Sequence, residues 1–260
     1  GQGSTWSYLY DDRDNLVCAI DPCNASSTFV YADNGCDLAA MTSPGGAVTT
    51  FEYDASGNRT RVVRDAGGSA LVTSNEYNRA GQLTRSINPR GAVTRHFYSS
   101  TGQPDADRSA YATAEPSALD AGWHVATRDA LGRVTCFSYD QLGRLAVTDS
   151  PGVPQGRLAV TNTYDLMDRL TSVRFPDGTF VSNVYDTAGW PALVRDRGGI
   201  WTTNTFDAAG RLVRVDYPNG DSVRKEYRGN LVTSLVDGRG NVTRYHYDHE
   251  QLVGVEFPDG

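Results

Sequence analysis

Three groups of residues have the types and spacing to support chemistry. His246, Tyr247, Asp248 and His249 form the densest histidine cluster, and paired imidazoles can hold a metal or move protons. Neighbouring residues of an extended chain point to opposite faces, so His246 and His249 would not easily converge in a strand. Asp11, Asp12, Arg13, Asp14 and Asn15 offer carboxylates to Ca²⁺, but they lack the spacing, central glycine and terminal glutamate of a helix-flanked calcium loop. Trp6, Trp123, Trp190 and Trp201 carry faces that stack on sugars. Trp190 and Trp201 fall within one short stretch and are the candidate glycan contacts.

Other chemistries find no residues. Cys18, Cys23, Cys36 and Cys136 contain no CxxC pair, and no histidine pair at metal spacing accompanies them, so zinc is not expected. A disulfide among the first three is compatible with their positions. There is no Gly-x-Ser-x-Gly and no recognisable cysteine–histidine nucleophile pairing. Aspartates are abundant but sit mostly at turn positions, which singles out no glycosidase pair. Gly45-Gly46, Gly67-Gly68 and Gly198-Gly199 open no helix, as a phosphate loop must. Asn24, Asn58 and Asn241 match the glycan acceptor pattern, which Thr- and Asn-rich hairpins generate by chance. No catalytic residue, cofactor site or metal ligand is therefore assigned. The net charge of −7 argues against a general nucleic-acid binder, which needs a basic face. No apolar run of about 18 residues is present to span a membrane. The first residues lack the basic and apolar regions of a signal peptide.

The elements that would position any site are set by a repeat. Aromatic anchors fall at Tyr10, Tyr31, Tyr53, Tyr77, Tyr98, Tyr139, Tyr164, Tyr185, Phe206, Tyr227 and Tyr247, with gaps of 21, 22, 24, 21, 41, 25, 21, 21, 21 and 20. The clearest copies are Tyr139-Asp140-Gln141-Leu142-Gly143-Arg144-Leu145 and Phe206-Asp207-Ala208-Ala209-Gly210-Arg211-Leu212. Tyr53-Asp54 with Gly57, Tyr185-Asp186 with Gly189, Tyr164-Asp165 with Asp168, and Tyr247-Asp248 are relatives. The gap of 41 is two periods, and Leu119-Asp120-Ala121-Gly122 stands where an anchor is missing. That gives about twelve copies, with 104–126 degenerate or inserted.

A second glycine lies seven residues before most anchors, often in turns such as Phe175-Pro176-Asp177-Gly178 and Tyr217-Pro218-Asn219-Gly220. Each repeat thus holds two turns and two short runs. Asp at the first turn position accepts from nearby backbone N–H groups, and Gly at the fourth tolerates positive φ. Between turns, Val213, Val215 and Tyr217 alternate with Leu212, Arg214 and Asp216, the period of a strand. The expected fold is all-β: tandem antiparallel hairpins of about 21 residues in a curved or spiral strip, residues 1–260 forming one array. Aromatic anchors of successive hairpins are expected to form a cross-strand ladder. Around 104–126 the prolines suggest a surface loop with one helical turn.

These residues resemble the YD-repeat family, which includes bacterial Rhs proteins, the C components of Tc toxin complexes, wall-associated proteins and the animal teneurins. The Tyr-Asp-x-x-Gly-Arg-Leu core at 139–145, its Phe version at 206–212 and the Pro-Asp-Gly turns carry the resemblance. It implies a spiral of hairpins that builds a hollow shell, which in Rhs-like relatives encloses a C-terminal toxin released by Asp-dependent self-cleavage. The 260 residues contain no Asp-Pro-x-Gly-Leu motif, so no cleavage residue is carried over. A strip of this many strands at ~4.8 Å spacing is too short to enclose a domain, and an arc of a larger secreted or cell-surface bacterial container is expected. Its partners would be the rest of that shell or its cargo. A glycan-binding or adhesive surface module is the alternative, and exposed edge strands invite self-association.

Overall fold

The computed structural model describes residues 5–65, 68–104, 110–117, 120–152 and 156–258. Parts of the sequence expectations that fall on residues 1–4, Gly67, Leu119, Asp259 and Gly260 lie outside them. The chain divides into two compact units, Gly1–Gly143 and Arg144–Gly260.

The first unit contains β1 (Ser7–Tyr10), β2 (Leu16–Ile20), β3 (Ser26–Tyr31), β4 (Leu38–Thr42), β5 (Val48–Tyr53), β6 (Arg59–Asp65), β7 (Ala70–Tyr77), β8 (Leu83–Ile87), β9 (Val93–Ser99), the one-turn helix α1 (Ala110–Thr113), β10 (Trp123–Arg128) and β11 (Val134–Tyr139). The second contains β12 (Leu145–Pro151), β13 (Arg157–Tyr164), β14 (Leu170–Arg174), β15 (Phe180–Tyr185), β16 (Pro191–Arg195), β17 (Trp201–Phe206), β18 (Leu212–Asp216), β19 (Ser222–Arg228), β20 (Leu231–Val236), β21 (Val242–Asp248) and β22 (Gln251–Glu256). Within each unit every strand pairs antiparallel with its sequence neighbours, as β14 does with β13 and β15. The fold is all-β, as the repeat predicts.

The turns follow the predicted chemistry. In the copy after Tyr185, the Asp186 N–H donates to Trp190 O (2.9 Å) and the Gly189 N–H donates to Asp186 O (3.1 Å). The Asp186 carboxylate accepts from the N–H groups of Ala188 and Trp190, each at 2.9 Å. Gly189 sits at φ +91°, left-handed backbone where a Cβ is costly. Asp14 and Asp168 fill the same slot at φ 61° and 62°, which short polar side chains tolerate best after glycine. The copy at Tyr247 departs from the expected four-residue turn. Asp248 remains in the strand opposite Gln251, and a two-residue turn places His249 at φ 53°. Tyr227 is followed by the same short form, with Arg228 opposite Leu231.

Between hairpins the ladder is shorter. Strands β14 and β15 are in register only at Ser172–Ser182, Val173–Val181 and Arg174–Phe180. β15 and β16 are paired through to Tyr185–Pro191, with a one-residue slip at the anchor. Adjacent hairpins therefore meet at their Pro-Asp-Gly ends and leave backbone carbonyls unpaired by the sheet at their Tyr-Asp ends.

Segment 104–126, expected to be degenerate or inserted with one helical turn, is an insertion that carries α1. The strand that pairs with the Tyr98 strand is β10, in register from Trp123–Ser99 to Arg128–Arg95. The long spacing is thus an insertion between two paired strands, one of the two alternatives that the sequence left open, and the described residues contain 22 strands. The insertion is not only a surface loop. Tyr111 packs on Phe97 with ring centres 4.9 Å apart, and with Val125, Ala126, Val134 and Cys136 these make the cluster of buried apolar side chains. The Arg128 guanidinium, itself buried, donates to Tyr111 O (2.8 Å) and to Glu115 (3.1 Å). Cys18, Cys23, Cys36 and Cys136 form no disulfide, and Cys136 is buried.

Candidate functional site: the seam between repeats

The repeat motif assembles where one hairpin's Tyr-Asp end meets the next, and each of its positions has a distinct physical task. The anchor hydroxyl donates to the backbone carbonyl left unpaired by the preceding hairpin. Tyr53 reaches Leu38 O (3.1 Å), Tyr164 reaches Leu145 O (2.9 Å), Tyr185 reaches Leu170 O (2.9 Å) and Tyr227 reaches Leu212 O (2.8 Å). Tyr31, Tyr77, Tyr98 and Tyr139 repeat the bond onto Leu16, Arg59, Leu83 and His124. Buried carbonyls without a partner are costly, so the phenol completes what the sheet leaves open. This is the reason for Tyr over Phe.

Phe206 tests that account. It lacks the hydroxyl, and the corresponding carbonyl, Pro191 O, instead accepts from Asn204 Nδ2 (3.0 Å). Asn two residues before the anchor recurs: Asn162 and Asn183 donate to the same Leu145 and Leu170 carbonyls as Tyr164 and Tyr185, each at 3.0 Å. Leu212 O has no such second donor, because Lys225 occupies that position. Tyr227→Phe is therefore expected to cost more than Tyr185→Phe, about 1–3 kcal/mol against about 0.5, read from urea unfolding of the two variants. Equal losses would contradict the backup role of Asn183.

The Asp and Arg positions link the turn to the next repeat. Asp207 and Arg211 form an ion pair (2.6 Å), as do Asp165 and Arg169 (2.7 Å). The same guanidiniums lie over the following anchors: Arg144 over Tyr164 (4.8 Å), Arg169 over Tyr185 (4.5 Å) and Arg211 over Tyr227 (4.9 Å). Each stack contributes roughly 0.5–2 kcal/mol depending on desolvation. The seam thus alternates Arg with Tyr. Among the described ring contacts no anchor stacks on the next one, which corrects the expected aromatic ladder. At two seams Trp takes the Arg position: Trp123 on Tyr139 (4.9 Å) and Trp190 on Phe206 (5.8 Å). The Trp190–Phe206 pair is the apolar form of Arg–Tyr, with charge and hydroxyl lost together.

The turn carboxylates are acidified. Arg211, by its side chain and then its N–H, holds Asp207 below the usual carboxylate range. Asn58 does the same for Asp54 and Asn241 for Asp237. At Asp165 burial opposes ionisation, but the N–H and guanidinium of Arg169 outweigh it. Because these folded pKa values lie below the unfolded value of about 3.9, the folded state binds fewer protons there. The stabilisation is whole above that value and is lost as pH falls through the folded values. The difference in urea midpoint between the parent chain and Asp54→Asn/Asp207→Asn/Asp237→Asn should be constant near neutrality and shrink below about pH 4. A difference independent of pH would show that the carboxylates act only as neutral caps.

The other sequence candidates do not converge. His249 lies beside Asp248 (2.9 Å) and is exposed, while His246 approaches Glu256 (3.6 Å). The Asp11 carboxylate is occupied as a turn cap by the N–H groups of Arg13 and Asn15. Trp190 and Trp201 each keep about two-fifths of their surface exposed (40% and 41%). Among the described residues no three His, Cys, Asp or Glu side chains are grouped to hold a metal, and no helix is long and apolar enough to cross a membrane.

A family model described as RHS Repeat matches residues 31–70 and 206–241. These stretches contain the Tyr53 seam and the Phe206 turn described above. Those two stretches are similar to RHS repeats. No curated protein sequence matches the chain. Among solved structures, the chain is similar to the Photorhabdus luminescens Tc holotoxin pore, with a TM-score of 0.58 and 12% identity, covering 96% of this chain and 16% of the other. It is also similar to TcdB2–TccC3 without its hypervariable C-terminal region, with a TM-score of 0.57, 13% identity and coverage of 96% and 16%. For TcdB2–TccC3–Cdc42 the values are 0.51, 14%, 96% and 14%. At such identities the likeness is one of fold. The chain spans about a sixth of the length of the first two.

Proposed function

We propose that this RHS-repeat chain is a non-catalytic stretch of a β-shell that encapsulates a toxin or other C-terminal cargo. The observation that carries the reading is the seam. Tyr, Asp, Gly, Arg and Leu of the motif are each engaged by a neighbouring repeat or by their own turn, so the most regular residues of the chain serve cohesion between hairpins. The fold shared with TcdB2–TccC3 agrees with a wall. In this reading residues 1–260 act as one array, its partners are the remainder of the shell and the enclosed cargo, and it works outside the bacterial cytoplasm. Cryo-electron microscopy of the full gene product tests it. Density for a further domain inside a closed wall is expected; a product with no enclosed domain would overturn the proposal.

A second reading, a surface module that binds carbohydrate, is favoured by the exposure of Trp201. Trp201→Ala is the cleaner probe, because Trp190 also packs on Phe206. Glycan-array binding abolished by Trp201→Ala would support this reading; no binding, or binding indifferent to the change, would remove it. Self-association follows from either reading, since β1 pairs only with β2 and β22 only with β21 among the described strands. Light scattering across a dilution series should show mass rising with concentration.

A further inference from the structure

His96 on β9 and His124 on β10 belong to no repeat motif, although the His124 ring packs beside the anchor Tyr98. Their side chains meet: His96 Nδ1 lies 3.2 Å from His124 Nε2. Thr127 Oγ1 lies 2.9 Å from His124 Nε2 and 3.4 Å from His96 Nδ1. Two ligands of a tetrahedral ion with bonds of 2.0–2.1 Å lie about 3.3 Å apart, so the three atoms outline one face of such a coordination shell.

The convergence is built by a bulge. His124 is opposite Tyr98 and Ala126 opposite Phe97, with Val125 as the extra residue between them. In a regular strand residues 124 and 127 would point to opposite faces. The extra residue flips the parity and brings Thr127, opposite His96, to the same face as His124. Bulges commonly re-aim side chains at functional sites. The displaced Val125 enters the buried cluster on the other face, with 1% of its surface exposed, which locks the bulge in place.

The surroundings suit ligation by neutral imidazole. Phe137 and Tyr98 pack against His124 with ring centres at 5.0 Å and 5.4 Å. Burial lowers both histidine pKa values, and His96 lowers that of His124 further. Imidazole without thiolate selects zinc, nickel and copper over calcium or magnesium.

We propose that His96 and His124, with Thr127 beside them, bind one divalent transition-metal ion of the zinc, nickel or copper class, water completing its ligands. The ion would tie β9 to β10 at the base of the insertion. This inference is independent of the shell reading.

The test is calorimetric titration of the tag-free chain with Zn²⁺, with electron paramagnetic resonance of the Cu²⁺-loaded chain. One zinc site per chain is expected. Its affinity should fall by about tenfold or more in His96→Gln and in His124→Gln, and be unchanged in His246→Gln and His249→Gln. The copper spectrum should carry the splitting of two equivalent-type nitrogens, reduced to one in either His96 or His124 variant. Thermal melting without metal verifies that each variant folds, and either of the two variants suffices if the other does not. Absence of zinc binding at millimolar concentration, or binding that survives both changes, would overturn the proposal and leave the pair as a simple N–H···N hydrogen bond.

Discussion

Gly210→Ala is expected to destabilise the second unit by about 2–4 kcal/mol, far more than the same change at Gly178. Both glycines occupy the fourth turn position at similar positive φ, +76° and +84°. Left-handed backbone alone costs an alanine about 1–2 kcal/mol, and Gly178 should show only that, since a Cβ there meets nothing within 4 Å. At Gly210 a Cβ would stand 2.4 Å from Trp190 Cζ2 and 2.6 Å from Cη2. The Trp ring cannot retreat without leaving Phe206, and overpacking of this kind costs about 1–3 kcal/mol more. Urea unfolding of both variants, with Trp190→Ala as a second background, checks the argument. In that background the two glycine changes should become equivalent. If Gly210→Ala remains worse there, the ring is not the cause. Gly143 offers a parallel case, because its Cβ would fall 2.3 Å from Trp123 Cη2. At both seams where Trp stands in the Arg position, the following turn glycine is needed for space as well as for φ.

The second large effect is expected at Arg128. Its side chain is 7% exposed, it bonds Tyr111 O and Glu115, and its guanidinium lies 5.8 Å from the centre of the Phe97 ring. Arg128→Ala removes a charged donor from a buried carbonyl and opens the packing above Phe97, a loss of about 3 kcal/mol. The insertion should detach locally before the strands unfold, since α1 is a single turn and has no independent stability. The most direct measurement is peptide-resolved alkylation of Cys136, which is 1% exposed beneath the insertion. Alkylation should accelerate in Arg128→Ala and change little in Arg95→Ala, which loses only the bond to the exposed Glu115 (2.6 Å). Equal reactivity in all three proteins would mean that Arg128 does not hold the insertion down.

Fold class was legible in the sequence for a local reason. A β-hairpin with Asp-x-x-Gly is specified by residues within its own turn, and two periods of seven to fourteen residues are enough to place both turns and both strands. Tyr185, Asp186 and Gly189 could therefore be assigned without knowing any neighbour. The same locality explains why spacing left the segment after Tyr98 open and misplaced the turn at Tyr247. An insertion that replaces a turn leaves the strand pairing intact but doubles the spacing, and a turn shortened to two residues keeps the Tyr-Asp signature while moving Asp248 back into a strand.

What the sequence could not state was why the motif has the residues it has. The role of each position lies in the adjacent repeat: the Tyr185 hydroxyl serves Leu170, Arg169 covers Tyr185, and Asn204 substitutes for the hydroxyl missing from Phe206. Such bonds depend on how far hairpins separate at their Tyr-Asp ends, a tertiary quantity with no counterpart in spacing along the chain. The histidine pair was hidden for a related reason. Strict alternation places His124 and Thr127 on opposite faces, and only the bulge at Val125, fixed by burial against Phe97 and Tyr111, reverses it. Local turn chemistry determined that this chain is a repeated hairpin; packing between hairpins decided what its tyrosines, arginines and histidines do, because those side chains act across a gap that exists only once neighbouring repeats are in place.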